Sequence, residues 1–231
     1  MLNKYYKEVE EKNSVENSSD SELTVQAVKD EIFEGLRMSM IINNANASRE
    51  YLFDFNLAEG YKIVTSEEYF DDKELDTGEL FITNADNEIT RIIESPWAID
   101  ANGKPIDTEY TIMEDKVSQT VHFDENTAFP VVADPGVLDY AKCTGAILLA
   151  MAGAGATVKA LKTIVKASGG VKKAAKYIYK AIKLRKKGKS SAYIKKAFKS
   201  LVNGATIGST IMDVTGITLI FKACGDTVSR K

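Results

Sequence analysis

The chain has 231 residues, 44% of them hydrophobic and 27% charged, with a formal net charge of −3. That apolar share suffices for a buried core and excludes a chain disordered throughout. A single histidine, His122, and two cysteines give neither a Cys/His zinc tetrahedron nor a Ser–His or Cys–His pair placed for nucleophilic catalysis. No catalytic residue, metal ligand set or cofactor is assigned, and the chain is read as a non-enzyme.

The small net charge hides a split. From Met1 to Gly136 there are 11 Lys and Arg against 30 Asp and Glu, net −19; from Val137 to Lys231 there are 19 against 3, net +16. All four prolines, seven of nine phenylalanines and the sole tryptophan, Trp97, fall in the acidic part, whereas 11 of 15 glycines lie from Gly136 onward. A boundary is therefore expected at Asp134-Pro135-Gly136, which is itself turn chemistry. Three regions follow: an acidic, disordered tail over 1–23, an acidic antiparallel β domain over 24–136, and a cationic helical domain over 137–231. The first residues carry no apolar h-region. Taken literally they predict a cytoplasmic protein; the alternative is a leader that is removed or lies upstream.

In chain order, Leu36, Met38, Met40 and Ile42 alternate with mostly polar neighbours, as do Tyr51, Phe53, Phe55 and Leu57, which predicts half-buried strands. Two apolar runs flank Asn84-Ala-Asp-Asn87 and predict a hairpin. Glu67/Glu68 and Asp71/Asp72 fall in a loop between strands, where they repel one another or face the basic half. Asn102-Gly103 marks a further turn, and strands are expected over 109–113, 118–123 and 129–132. Several short strands at this spacing point to an antiparallel sandwich or barrel. Asp124, Glu125, Asn126 and Asp134 are calcium-type donors without EF-hand spacing.

Beyond Gly136 the period becomes 3.6. Val137 to Ala167 reads as one long helix, or two kinked at Gly153/Gly155, ended by Ser168-Gly169-Gly170. Val171 to Lys187 places Val171, Ala174, Ala175, Ile178, Ala181 and Ile182 on one face and Lys172, Lys173, Lys176, Lys180 and Lys183 on the other. Arg185, Lys186 and Lys187 follow. A third stripe, Ile194, Ala197, Phe198, Leu201 and Val202, opposes Lys195, Lys196 and Lys199. The last segment, Gly204 to Ala223, has only Asp213 as a charge before Lys222. The expected fold class is thus α+β in two modules, the second an all-α bundle of about four helices.

Lys172 to Lys199 holds 12 Lys and Arg and no acid. A basic amphipathic helix suits a membrane surface or an acidic partner. Tyr177, Tyr179 and Tyr193 suit a bilayer interface or base stacking. Nucleic acid is disfavoured, since no zinc-finger ligands, RNA-binding aromatic motif or recognition-helix unit is present. The uncharged run Cys143–Val158 has 16 residues and Ser200–Phe221 has 22 with one charge. They are either core helices of a soluble bundle or a hairpin that enters a bilayer. Gly204 and Gly208 stand at GxxxG spacing, which favours close helix packing. Cys143 and Cys224 flank the basic half: two buried free thiols, or one disulfide stabilising by about 4–5 kcal/mol in the chain-entropy model, are both open.

Ser95-Pro-Trp-Ala-Ile-Asp-Ala-Asn-Gly-Lys104, Thr108-Glu-Tyr110, Gln119-Thr-Val121 and Phe129-Pro-Val-Val-Ala-Asp-Pro135 together resemble a β-module of largely uncharacterised secreted proteins of Gram-positive bacteria. In those proteins a Cys-flanked, Gly-rich helical segment often follows, and Cys143 to Cys224 is similar to it. The resemblance spans roughly residues 50–225. It implies export, a secreted or cell-envelope location and a Cys143–Cys224 disulfide, and it carries no established activity. The reading expected from the whole is a bacteriocin-like protein. Its cationic domain binds an anionic membrane, and its apolar flanks insert and permeabilise it. The acidic domain acts as carrier or mask through an intramolecular acidic/basic contact. The alternative is a non-lytic binder of a cell-wall polyanion.

Overall fold

A computed structural model describes residues 20–29, 33–134, 136–140, 147, 150–151, 155–201, 203–215 and 220. The fold is α+β with antiparallel sheets. The chain divides into two compact units: Met1–Lys29, Glu34–Thr65 and Gly78–Asp139 form the first, and Asp30–Phe33, Ser66–Thr77 and Tyr140–Lys231 the second.

In the first unit β1 (Ser21–Lys29) pairs along β2 (Phe33–Ile42), with Ser21 opposite Ile42 and Lys29 opposite Glu34. Strand structure thus begins inside the stretch assigned to the acidic tail. The alternation in β2 is physical: Leu36, Met38, Met40 and Ile42 are buried while Arg37 is exposed. A separate three-stranded sheet contains β3 (Glu50–Asp54), which buries Tyr51 and Phe53. Burial pushes the Tyr51 phenol up to about 12, against a smaller opposing effect of a hydrogen bond with Ser21.

β4 (Lys62–Thr65), β5 (Leu80–Thr83) and β6 (Ile89–Ile93) form a meander. The β5–β6 turn closes as its residues demand. Asn87 takes a left-handed φ of 60°, and the Asn84 side-chain oxygen accepts from the Asp86 and Glu88 N–H groups at 3.1 and 2.9 Å. β7 (Ala98–Ile99) and β8 (Pro105–Ile106) meet across Gly103, at φ +77°. β9 (Thr108–Met113) and β10 (Lys116–Val121) complete the sheet begun by β3, with β10 central. β11 (Val131–Ala133) and β12 (Gly136–Tyr140) join the larger sheet, whose order is β4-β5-β6-β12-β2-β11-β7-β8 with β1 beside β2. The two sheets share one core, in which Met38, Met40 and Ile42 meet Phe53, Phe55, Val117, Val121 and Phe123.

β12 corrects the expectation of a helix from Val137. Val137, Leu138 and Asp139 pair with Ile93, Ile92 and Arg91. An apolar run this short does not distinguish strand from helix by periodicity, and an empty position between β6 and β2 would orphan backbone donors and acceptors. The sheet therefore continues beyond Gly136 to the end of the first unit at Asp139.

In the second unit the loop expected around Glu67 and Asp72 is instead α1 (Ser66–Phe70) and a 3-10 turn over Lys73–Leu75. α2 (Ala156–Ser168) begins directly after Gly155, at φ +99°. It ends in a left-handed Gly169 and a Gly170 N–H that donates to the Val165 carbonyl at 3.1 Å, so the Gly-Gly pair reverses the chain. α3 (Val171–Lys186), α4 (Ser191–Phe198) and α5 (Gly204–Val214) follow, α4 being capped by Ser190 Oγ, which accepts from the Tyr193 N–H at 3.3 Å. α2 packs on α3, α5 and the 3-10 turn, and α5 also on α3 and α4.

Candidate polyanion-binding surface

α3 explains why the lysines face outward. Val171, Ala174, Ala175, Ile178, Tyr179, Ala181 and Ile182 are buried, so a 3.6-residue period sends the intervening positions to solvent. Lys173, Lys176, Lys180, Arg185, Lys186 and Lys187 are exposed and Lys172 and Lys183 half-buried. On α4, Ile194 and Phe198 are buried while Lys195, Lys196 and Lys199 are exposed. Aromatic rings hold several ammonium groups. Lys180 Nζ lies 5.4 Å from the Phe198 ring centroid, Lys183 Nζ 5.8 Å from Tyr179 and Lys189 Nζ 5.0 Å from Tyr193. Arg185 donates to Thr215 Oγ1 at 3.3 Å.

Lys173, Lys187, Lys195, Lys196 and Lys199 have no carboxylate partner among the described residues. Like charges four apart, as at Lys172/Lys176, Lys176/Lys180 and Lys195/Lys199, each destabilise a helix by about 0.2–0.5 kcal/mol. A bound anion relieves that repulsion. Arg185, Lys186 and Lys187 also sit at the α3 C-terminus, where the helix dipole favours cations.

Gly204 and Gly208 lie where α5 crosses the end of α4. A methyl on Gly204 would overlap the Phe198 carbonyl oxygen, and one on Gly208 would stand 3.0 Å from that of Lys195. Their spacing serves contact between these two helices. α5 has 11 residues, a length of about 16 Å against a hydrocarbon core of about 30 Å. Among the described residues no helix is long and apolar enough to cross a membrane. Asp213 is exposed on α5. Cys143 and Cys224, and with them the disulfide expectation, lie outside the described residues.

Sequence reasoning missed a second cationic row. Lys159, Lys162 and Lys166 lie on α2, opposite buried Leu161, Ile164 and Val165. Lys162 Nζ donates to the Phe70 carbonyl at 3.2 Å and lies 3.4 Å from Asp72 Oδ2, and Lys166 Nζ lies 2.7 Å from Glu74 Oε2. The three lysines, Asp72 and Glu74 line an open cleft of about 390 Å3, with Leu75, Gly155, Val158 and Thr163. The spacing of the three lysines was visible in sequence; their acidic partners, some 90 residues earlier, were not.

In the first unit a smaller cleft of about 160 Å3 is lined by Asp100, Lys104, Asp107, His122, Asp124 and Thr127, among others. The Lys104 N–H, foremost, and the Asn102 N–H hold the Asp100 carboxyl below the usual carboxylate range, and the Asn126 N–H does the same for Asp124. Asp134 is instead buried against Arg37, Oδ2 to Nε 2.8 Å. Among the described residues no three His, Cys, Asp or Glu side chains are arranged to hold a metal ion.

Comparison with protein-family models, with curated proteins and with solved structures finds no match.

Proposed function

We propose that this chain is a secreted, bacteriocin-like protein of two modules, a β-sandwich or barrel and a C-terminal helical bundle, and that the bundle binds anionic membranes through α3 and α4. The observation that carries the reading is a dense row of exposed cations on α3 and α4 set against a buried helix face, in which Lys173, Lys187, Lys195, Lys196 and Lys199 have no carboxylate partner among the described residues. Each lysine near an anionic leaflet contributes about 1 kcal/mol. Tyr193, half-exposed beside Lys189, adds an amphipathic ring suited to the headgroup layer. The export-like resemblance supports a location at the cell envelope, where such a surface meets phospholipid. The acidic module is the carrier.

A second reading, adhesion to an envelope polyanion without lysis, is favoured by the shortness of α5 and by the burial of the apolar side of α3. In that reading the bundle stays folded and α3 and α4 bind as a rigid basic face. Vesicle co-sedimentation and dye release with the full chain test both. Binding to phosphatidylglycerol vesicles with release supports the membrane-active reading. Binding without release supports adhesion, and no binding at low salt contradicts both.

A further inference from the structure

The α1–3-10 segment, Ser66–Thr77, comes from the acidic half of the sequence yet belongs to the helical unit. It is a closed strap. The Ser66 Oγ accepts from the Thr77 N–H at 2.9 Å and from Thr77 Oγ1 at 3.2 Å, which ties its two ends together. Between them, Asp72 Oδ1 accepts from the Glu74 N–H at 3.1 Å and shapes the 3-10 turn. Phe70 and Leu75 are buried as its apolar anchors. The strap thereby holds two carboxylates against two ammonium groups of α2, Asp72 against Lys162 and Glu74 against Lys166. Lys159 opens on the same cleft and has no carboxylate partner among the described residues. Three cations in a row, two of them filled from within, leave a concave site of net positive charge.

We propose that Lys159, Lys162 and Lys166 form a second anion-binding site, for successive phosphate groups, and that Asp72 and Glu74 occupy it as an internal competitor. The contacts are half-exposed, so salt screens them and an incoming polyanion exchanges with them. Phe70 and Leu75 keep the strap in place while its carboxylates swing aside. The site rests on the proposed polyanion-binding function and adds to it a surface that is graded by competition.

The test uses the full chain with two probes in separate arms, inorganic polyphosphate and phosphatidylglycerol vesicles. In the D72N/E74Q variant Asn keeps the acceptor that shapes the turn, and both competing charges are gone. Affinity rises about fivefold, and adding K159Q/K162Q/K166Q removes that gain. A gain with either probe supports the site, and the responding probe identifies a free phosphate chain or a lipid headgroup as the source. Unchanged affinity in D72N/E74Q, or a gain that survives loss of the three lysines, overturns it. If K172Q/K176Q/K180Q abolishes binding while the strap variant changes nothing, the α3–α4 surface stands and the α2 site falls. Binding of neither probe by any variant removes both. Amide resonances of wild-type protein provide a reading that needs no variant: Asp72, Glu74 and Lys162 shift during polyphosphate titration, and their silence while Lys176 and Lys180 shift overturns the site.

Discussion

Replacing Gly204 by alanine tests the α4–α5 packing that presents the basic face. Alanine gains up to about 1 kcal/mol over glycine in a helix interior, and at Gly204, the first residue of α5, that figure is an upper limit. At Gly204 the new methyl overlaps the Phe198 carbonyl oxygen and lies 3.0 Å from the Phe198 carbonyl carbon and 3.2 Å from that of Lys199. All three obstacles are main-chain atoms, so no side chain can swing away, and overpacking of this kind costs about 3 kcal/mol. The net loss is about 2 kcal/mol, a fall in Tm of about 4–8 °C for a chain of this length. At Gly208 the nearest atoms are the Lys195 oxygen at 3.0 Å and Cα at 3.4 Å. A shift of a few tenths of an ångström relieves that contact, so the Gly208→Ala change lies within about 1 kcal/mol of wild type. Thermal and urea denaturation followed by circular dichroism measure both. A Gly204→Ala protein as stable as wild type, or less affected than Gly208→Ala, refutes the packing argument.

Three further outcomes follow from the same geometry. Arg37→Ala leaves the Asp134 carboxylate buried without its guanidinium; given the half-exposed arginine, a loss of about 2 kcal/mol in urea unfolding is expected, with Arg37→Lys recovering part of it. The folded pKa of Asp100 lies below the unfolded one, so its contribution is present above about pH 4 and lost as pH falls through the depressed value; Asp100→Asn flattens that part of the acid-unfolding curve, and an unchanged curve contradicts the assignment. Tyr51, at about 12, is the mirror case: its contribution is full below about pH 10 and disappears as pH rises through the folded value, so Tyr51→Phe reduces the alkaline loss of stability and removes a late phenolate step from the absorbance titration.

The parts legible in sequence were those fixed by local chemistry. The alternation Leu36-Met38-Met40-Ile42, the Asn84–Asn87 turn and the Gly169-Gly170 break each carry their own geometry, and the structure places a strand, a hairpin and a helix end there. What escaped was decided by distant partners. Val137 to Tyr140 is a strand because β6 and β2 leave a place for it, and nothing within those residues announces that. Glu67/Glu68 and Asp71/Asp72 read as a loop whose carboxylates repel or face the basic half, with no partner to name; Asp72 lies against Lys162, and Glu74 beside it against Lys166. The lysines of α3 and α4 were legible as a face because amphipathic spacing alone determines which side is wet. Those of α2 were legible as spacing only, since their significance comes from the strap that covers them.

The most direct measurement is co-sedimentation of the full chain with phosphatidylglycerol vesicles against phosphatidylcholine vesicles, across a salt series, for wild type and K172Q/K176Q/K180Q. Wild type is expected to bind only the anionic vesicles, with affinity falling steeply as salt rises and reduced by about 3 kcal/mol, roughly a hundredfold, in the variant. Equal binding to both lipids, or a triple variant that binds like wild type, contradicts a surface built on the α3 and α4 lysines.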